Sequence, residues 1–277
     1  MIFELEAVGG PWMRRAPAAQ RRAIIDELAW DELAKETASA SNRADLELAR
    51  VVWTECGFCE YASAAAFAEI ATALLAAAAP IDLVAAAGDF VADEMLHAEL
   101  SARVANALGG AVALEVDLTR LVRPASASAT PLLRAAELVV RTSCVGEALT
   151  VPILKLAKAE AGSAVIAEVL ARIARDESAH AELGSWFLDW AAPKLTDDDR
   201  AELGRIASAA LSSFAPIFGG PCVREAKLGV LDCDSFDATF DEAVRRRVVE
   251  PLAARGITAL SKKRLAGDDH ERGSTAG

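Results

Sequence analysis

Two eight-residue runs hold the residues best suited to chemistry in this chain. Residues 93–100 read Asp-Glu-Met-Leu-His-Ala-Glu-Leu, and residues 176–183 read Asp-Glu-Ser-Ala-His-Ala-Glu-Leu. Each run lies within a segment whose apolar residues recur at helical spacing. On a helix, Glu-x-x-His sets a carboxylate and an imidazole on one face, about one turn apart. The chain has 3 histidines, and two of them, His97 and His180, fall in this context. One such pair alone would read as an ordinary solvated acidic face. Its repetition on two helices favours two halves of one dinuclear metal site. Each metal then takes one histidine, and carboxylates fill the remaining positions.

A closed site in a helical bundle needs one further carboxylate from each of two other helices. Depth along the helices selects them. Glu147 lies 15 residues before Gly162, and Glu177 lies 15 residues after it. At 1.5 Å per residue both arms measure roughly 22 Å, so the two carboxylates stand level in an antiparallel pair. Glu137 and Glu160 sit at other depths. On the helical segment that precedes Pro80 the candidates are Glu55, Glu60 and Glu69. Glu60 comes closest to the level of Glu94, with Glu69 about 13 Å from Glu60 along the helix and Glu55 about 8 Å from it in the opposite sense. The candidate metal ligands are therefore Glu60, Glu94, His97, Glu147, Glu177 and His180.

Long helices must hold these residues. The pattern predicts an amphipathic helix over 18–37, a long helix over 43–76 that stops before Pro80, and a second over 81–108 that ends at Gly109-Gly110. Residues 111–130 read as an extended strap. A third long helix is expected over 131–161, kinked at Pro152, and a fourth from the Gly162-Ser163 turn to about Trp190. Thr196 followed by three aspartates marks the start of a fifth helix, which runs to about Ser213. Residues 214–235 read as loop, and a last helix begins at 240–249. Residues 1–261 are expected to form a single domain, with 262–277 a polar, disordered tail.

Composition agrees with an all-α protein. Of 277 residues, 53% are apolar, which excludes a disordered chain, and the mix of Ala, Leu, Glu and Arg favours helix. A net charge of −12 argues against binding to nucleic acid, which requires a basic face. The N-terminal residues lack the charge and apolar core of a signal peptide. The most apolar stretch, 62–92, is interrupted by Glu69, Pro80, Asp82 and Asp89 and falls short of a membrane span. With no such signals, the 5 cysteines are expected to be reduced thiols and the protein to be cytoplasmic.

The set Glu60, Glu94-x-x-His97, Glu147 and Glu177-x-x-His180 resembles the ferritin-like superfamily of carboxylate-bridged di-iron proteins, over residues 43–191. The resemblance implies a four-helix bundle holding two iron ions, with a long crossover between the second and third helices, here 109–130. It also implies that His97 and His180 are terminal nitrogen ligands and that Asp93 and Asp176 each orient the opposite histidine. A ligating imidazole needs an acceptor for its other N–H, which suits that pairing; ordinary surface charge is the alternative for these aspartates. Manganese or a mixed pair would suit the same donors.

Within the superfamily no one branch matches fully. Ser101 stands where ribonucleotide reductase small subunits carry a radical tyrosine, and the only tyrosine, Tyr61, points about 100° away from Glu60. Val151, with Thr150 one residue short, replaces the threonine of bacterial multicomponent hydroxylases. Ile173 replaces the extra histidine of arylamine N-oxygenases. The helices outside the bundle look like material that shapes a pocket. The resemblance then implies an oxygen-dependent oxidoreductase that hydroxylates, N-oxygenates or desaturates a small organic substrate. The alternative is a ferroxidase or iron-binding protein with no organic substrate. Expected partners are dioxygen, the substrate, an electron-donor protein and a second copy as a homodimer, with no nucleic acid and no membrane.

Two further motifs have a plain and a functional reading. Cys56-Gly-Phe-Cys59 beside Glu60 could be a redox or zinc motif, but no second CxxC completes a zinc site, and packing is the commoner role. Arg245-Arg246-Arg247 offers a docking face for an electron donor, or simply a solvated helix face.

Overall fold

The computed structural model describes residues 16–38, 42–122, 130–218 and 226–260. All of its regular structure there is helical. Two long helices come first in the bundle, α3 (Arg43–Ala76) and α4 (Ile81–Ala107). Asn42 caps α3, its side chain accepting from the N–H groups of Ala44 and Asp45. Gly109 (φ +114°) and Gly110 (φ +110°) then end α4 in a conformation closed to most side chains. From 111 to 122 the chain continues as the expected extended strap, broken by one 3₁₀ turn at Leu118–Arg120, while 123–129 of that strap lie outside the described residues. Its start is pinned to α3, where Arg50 Nε donates to the Gly110 carbonyl at 2.8 Å and Thr54 Oγ1 accepts from Val112 N–H at 3.2 Å.

The third rod differs from its expected form. It is α5 (Pro131–Val139), a π-helical segment (Val140–Glu147) and α6 (Ala148–Glu160). Pro152 lies in α6, just past the π segment, and has no N–H to give the Ala148 carbonyl. The ladder thus loosens before the proline, and Thr150 Oγ1 donates to the Gly146 carbonyl at 3.1 Å. The fourth rod, α7 (Ala164–Ala191), follows the turn at Gly162. α3 packs along α4, α6 and the π segment along α7, α4 against α7, and α3 against α5, so the four rods form a bundle.

Additional helices cover it. The segment expected as one helix over 18–37 is two, α1 (Ala16–Glu27) and α2 (Trp30–Ala38), with Trp30 Nε1 bonding the Ile25 carbonyl at 2.8 Å across the break. Both lie on α4, burying Ile25 and Leu33. The capping box of Thr196 and Asp199 opens α8 (Asp197–Phe218), which outlasts its expected end. The last helix begins earlier than expected, as α9 (Cys233–Ala243), a π segment (Val244–Val249) and α10 (Glu250–Ala253). Asp232 explains the early start, since its side chain caps α9 by accepting from Ser235 N–H. The proposed tail, 262–277, lies outside the described residues. Cys56, Cys59 and Cys144 are free thiols, but Cys233 is disulfide-bonded, contrary to the expectation of five reduced cysteines.

The apolar interior is split in two. One cluster gathers Phe67, Leu74, Phe90, Leu149 and Phe187; the other gathers Trp53, Leu100, Val104, Ile166 and Ile173. Along α3, α4 and α7 the boundary falls where a candidate ligand sits, and on the third rod it falls just past Glu147, after Leu149. By length and composition α3 also suffices to cross a membrane, although the sequence stretch read for this was 62–92.

α7 meets the π segment closely at Gly184, where an added Cβ would come within 2.6 Å of Cys144 Sγ and 3.2 Å of its backbone nitrogen. Gly184→Ala is expected to lower stability by about 1–3 kcal/mol, read from the urea midpoint. Adding Cys144→Ala should recover part of that loss, since it removes the sulfur but not the backbone contact.

Candidate metal centre

Four helical rods each deliver a carboxylate to the layer between the two apolar clusters. α3 brings Glu60, α4 brings Glu94 with His97, the π segment ends on Glu147, and α7 brings Glu177 with His180. A π-helix has more residues per turn than an α-helix, so the face shown by 140–147 is shifted relative to a regular helix before α6 resumes. Glu94, His97 and His180 are fully buried, Glu177 and Glu147 nearly so, and the Glu60 side chain is 14% exposed.

The imidazoles are oriented alike. His97 Nδ1 lies 3.1 Å from Glu177 Oε1, 3.5 Å from Glu94 Oε2 and 3.7 Å from Glu60 Oε2. His180 Nδ1 lies 2.9 Å from Glu177 Oε2 and 3.0 Å from Glu94 Oε1. Both Nδ1 atoms thus face inward. Both Nε2 atoms face out toward aspartates, His97 to Asp176 at 3.3 Å and His180 to Asp93 at 3.8 Å. Phe90 and Phe67 pack on the His180 ring, with centroids 4.2 and 5.0 Å away.

Glu60, Glu94, His97 and Glu177 each offer a ligand atom within 4.8 Å of all the others, a buried cluster that could hold a metal ion. Glu147 and His180 stand outside that tight group. His180 adjoins it through Glu94 and Glu177, and Glu147 acts on Glu177, Glu94 and His180. Both oxygens of Glu94 and Nδ1 of His97 are buried without a hydrogen-bond partner. Buried acceptors left in this condition are costly, and a cation would satisfy them. With neutral imidazoles the four carboxylates would carry four negative charges, the charge of two divalent ions.

Without a cation, protons must do that work. Burial pushes the Glu60 and Glu147 carboxyls well up, and the neighbouring carboxylates add to it. Burial opposes protonation of His97 and His180, but the surrounding carboxylates outweigh it and raise both, His180 to about 12. Glu177, between the two imidazoles, is held below the usual carboxylate range despite its burial.

The competing acids lie elsewhere. Glu69 and Glu137 share Arg134, each at 3.1 Å, and Glu55 is exposed. Ser101 is buried, its Oγ without a partner. Cys59 is exposed and Cys56 half-buried. Two arginines that the sequence reading did not single out complete the outer layer, Arg172 donating to Asp176 and Arg21 donating to Asp93. Arg172 stands four residues before Asp176 on one helix, a spacing that is legible in principle. Arg21 comes from α1 and has no local signal. Comparison with family models, curated proteins and solved structures returns no match.

The shifts fix how the metal-free protein responds to pH. Groups raised in the folded state bind more protons there than in the unfolded chain, so stability falls as pH rises past their unfolded values. For Glu60 and Glu147 the loss begins above about pH 4.5, and for both histidines above about pH 6.5. Glu177 acts oppositely, but only below about pH 4.5. The thermal midpoint of metal-free protein is therefore expected to fall from pH 5 to pH 8, and saturating divalent metal should reverse the trend. A midpoint that climbs with pH in the absence of metal would contradict this.

Proposed function

We propose that this chain is a ferritin-like di-iron oxidoreductase that uses dioxygen to hydroxylate, N-oxygenate or desaturate a small organic molecule. One observation carries the reading: Glu94 and Glu177 each set one oxygen beside each histidine Nδ1. A carboxylate shared in this way suits two cations side by side. Glu60 with His97 and Glu147 with His180 would then be the separate ligands of the two ions. Imidazole and carboxylate donors accept iron, manganese or a mixed pair. Two bound ferrous ions would supply electrons for the reduction of dioxygen.

The protein's own groups prepare the site. Asp176 stands where it can accept the Nε2–H of His97, and the Asp93 carboxylate faces His180 Nε2 from 3.8 Å, both charges favouring the tautomer whose Nδ1 lone pair faces inward. Phe67 and Phe90 pack against the fully buried ring of His180, Phe67 edge-on and Phe90 tilted. The protons that the cluster retains without metal leave as metal arrives, so loading should release acid.

The iron-handling alternative also has an observation in its favour. Glu60 is the candidate ligand with the greatest exposure, so the cluster meets solvent on the α3 side, where ions could reach it. A surface concavity lined by Asp197, Arg200, Gly204, Ser208 and Gly256 shares no residue with the cluster.

Anaerobic titration with ferrous iron is expected to load about two ions per chain, with a change in the optical spectrum when air is admitted. Glu147→Ala should sharply lower occupancy, and two-ion binding that survives this substitution would overturn the ligand assignment. Repeated aerobic oxidation of iron with no product from a panel of amines and hydrocarbons would favour iron handling over substrate oxidation.

A further inference from the structure

We propose that Arg21, on the helix α1 outside the bundle, is a positioning residue for the His180 imidazole of the candidate centre. The inference rests on the two-metal reading and adds an element to it. Arg21 Nε donates to Asp93 Oδ1 at 2.7 Å, and Arg21 Nη2 donates to Asp89 Oδ1 at 2.8 Å. The other Asp93 oxygen is the one that faces His180 Nε2. The Arg21 carbonyl accepts from Arg172 Nη1 at 3.4 Å, and Arg172 Nε donates to the same Asp176 oxygen that faces His97 Nε2. A single residue therefore ends both chains of contacts, one through its side chain and the other through its backbone.

The two chains do not depend on it equally. Asp176 has Arg172 and Arg175 on its own helix. Among the described residues, the cation that holds Asp93 is Arg21. Asp93 is 17% exposed, so without that fork its carboxylate is free to turn toward water. His180 Nε2, 3.8 Å from Asp93 Oδ2, would then lose the negative charge it faces, which favours the tautomer with its proton on Nε2. Arg21 raises the share of Asp93 conformers that face inward. The effect should concentrate at the ion held by His180 and Glu147, leaving the His97 side closer to normal.

The next residue supplies the control. Arg22 joins α1 to α4 through Glu99, at similar exposure, without touching Asp93 or Asp176. The full chain and its Arg21→Ala, Arg21→Met, Arg21→Lys and Arg22→Ala variants would be titrated anaerobically with Co(II), following its visible absorption, and their thermal midpoints recorded. Arg21→Ala is expected to weaken one of two Co(II) sites about tenfold and to alter the visible band, with Arg22→Ala like the native chain in both. Arg21→Met keeps the apolar stem and should repeat the loss if Arg21→Ala does not fold. Arg21→Lys, which keeps the charge but not the fork, should fall between. Equal weakening in the Arg21 and Arg22 variants, tracking their midpoints, would reduce Arg21 to a docking contact and overturn the proposal. So would native-like affinity and spectrum in Arg21→Met. A native chain that takes up two Co(II) ions in either case leaves the two-metal reading standing; one that takes up none overturns that reading and this role with it.

Discussion

Four carboxylates, those of Glu60, Glu94, Glu147 and Glu177, meet in the middle of an alanine- and leucine-rich bundle, and their mutual repulsion in that setting must be offset by positive charge. Protons on the cluster or bound cations are the two ways to offset it. Much else in the structure follows from this constraint. The apolar core cannot be continuous across such a layer, and it divides into one cluster on each side. Both histidines turn their inner nitrogens toward the acids, and their outer nitrogens face further carboxylates, His97 bonding Asp176 and His180 facing Asp93 from 3.8 Å. Those aspartates bring their own charge, met in turn by Arg21 and Arg172. Charge thus alternates outward from the centre until it reaches solvent.

Helix length and helix irregularity serve this layer. Rods of 34, 27 and 28 residues carry enough apolar surface at either end to clamp the polar middle in place. The third rod is the exception. Its α-helical ladder opens into the π segment that ends on Glu147, and Gly184 on α7 lets Cys144 come close enough to seat that widened turn. The cap made by α1 and α2 is more than a cover, because Arg21 lies in the same hydrogen-bonded layer as the outer aspartates.

Much of this was legible in the residues alone. The repeated Asp-Glu-x-x-His-Ala-Glu-Leu marked α4 and α7 as bearers of acid and imidazole on one face. A count from Gly162 selected Glu147, which the structure buries beside Glu177, over Glu137, which pairs with Arg134 instead. The same count worked for Glu60 because α3 and α4 are regular helices joined by a short turn. It failed to foresee the π segment, since a change in ladder from one residue to the next leaves no mark in hydrophobic spacing. The break between α1 and α2 escaped as well, since Leu28-Ala29 is not a helix-breaking sequence and the bond from Trp30 Nε1 to the Ile25 carbonyl that marks the bend has no sequence signature.

The sequence by itself determined the helices, the acids and imidazoles they carry and the depth at which these sit, because spacing along a helix is local and nearly fixed. Only the tertiary structure decided which oxygen faces which nitrogen. That Glu94 and Glu177 each address both histidines depends on how α4 and α7 lie against one another. The reach of Arg21 across 72 residues to Asp93 is likewise a contact between distant parts of the chain. No periodicity records such contacts, since they arise when separately formed helices pack into one core.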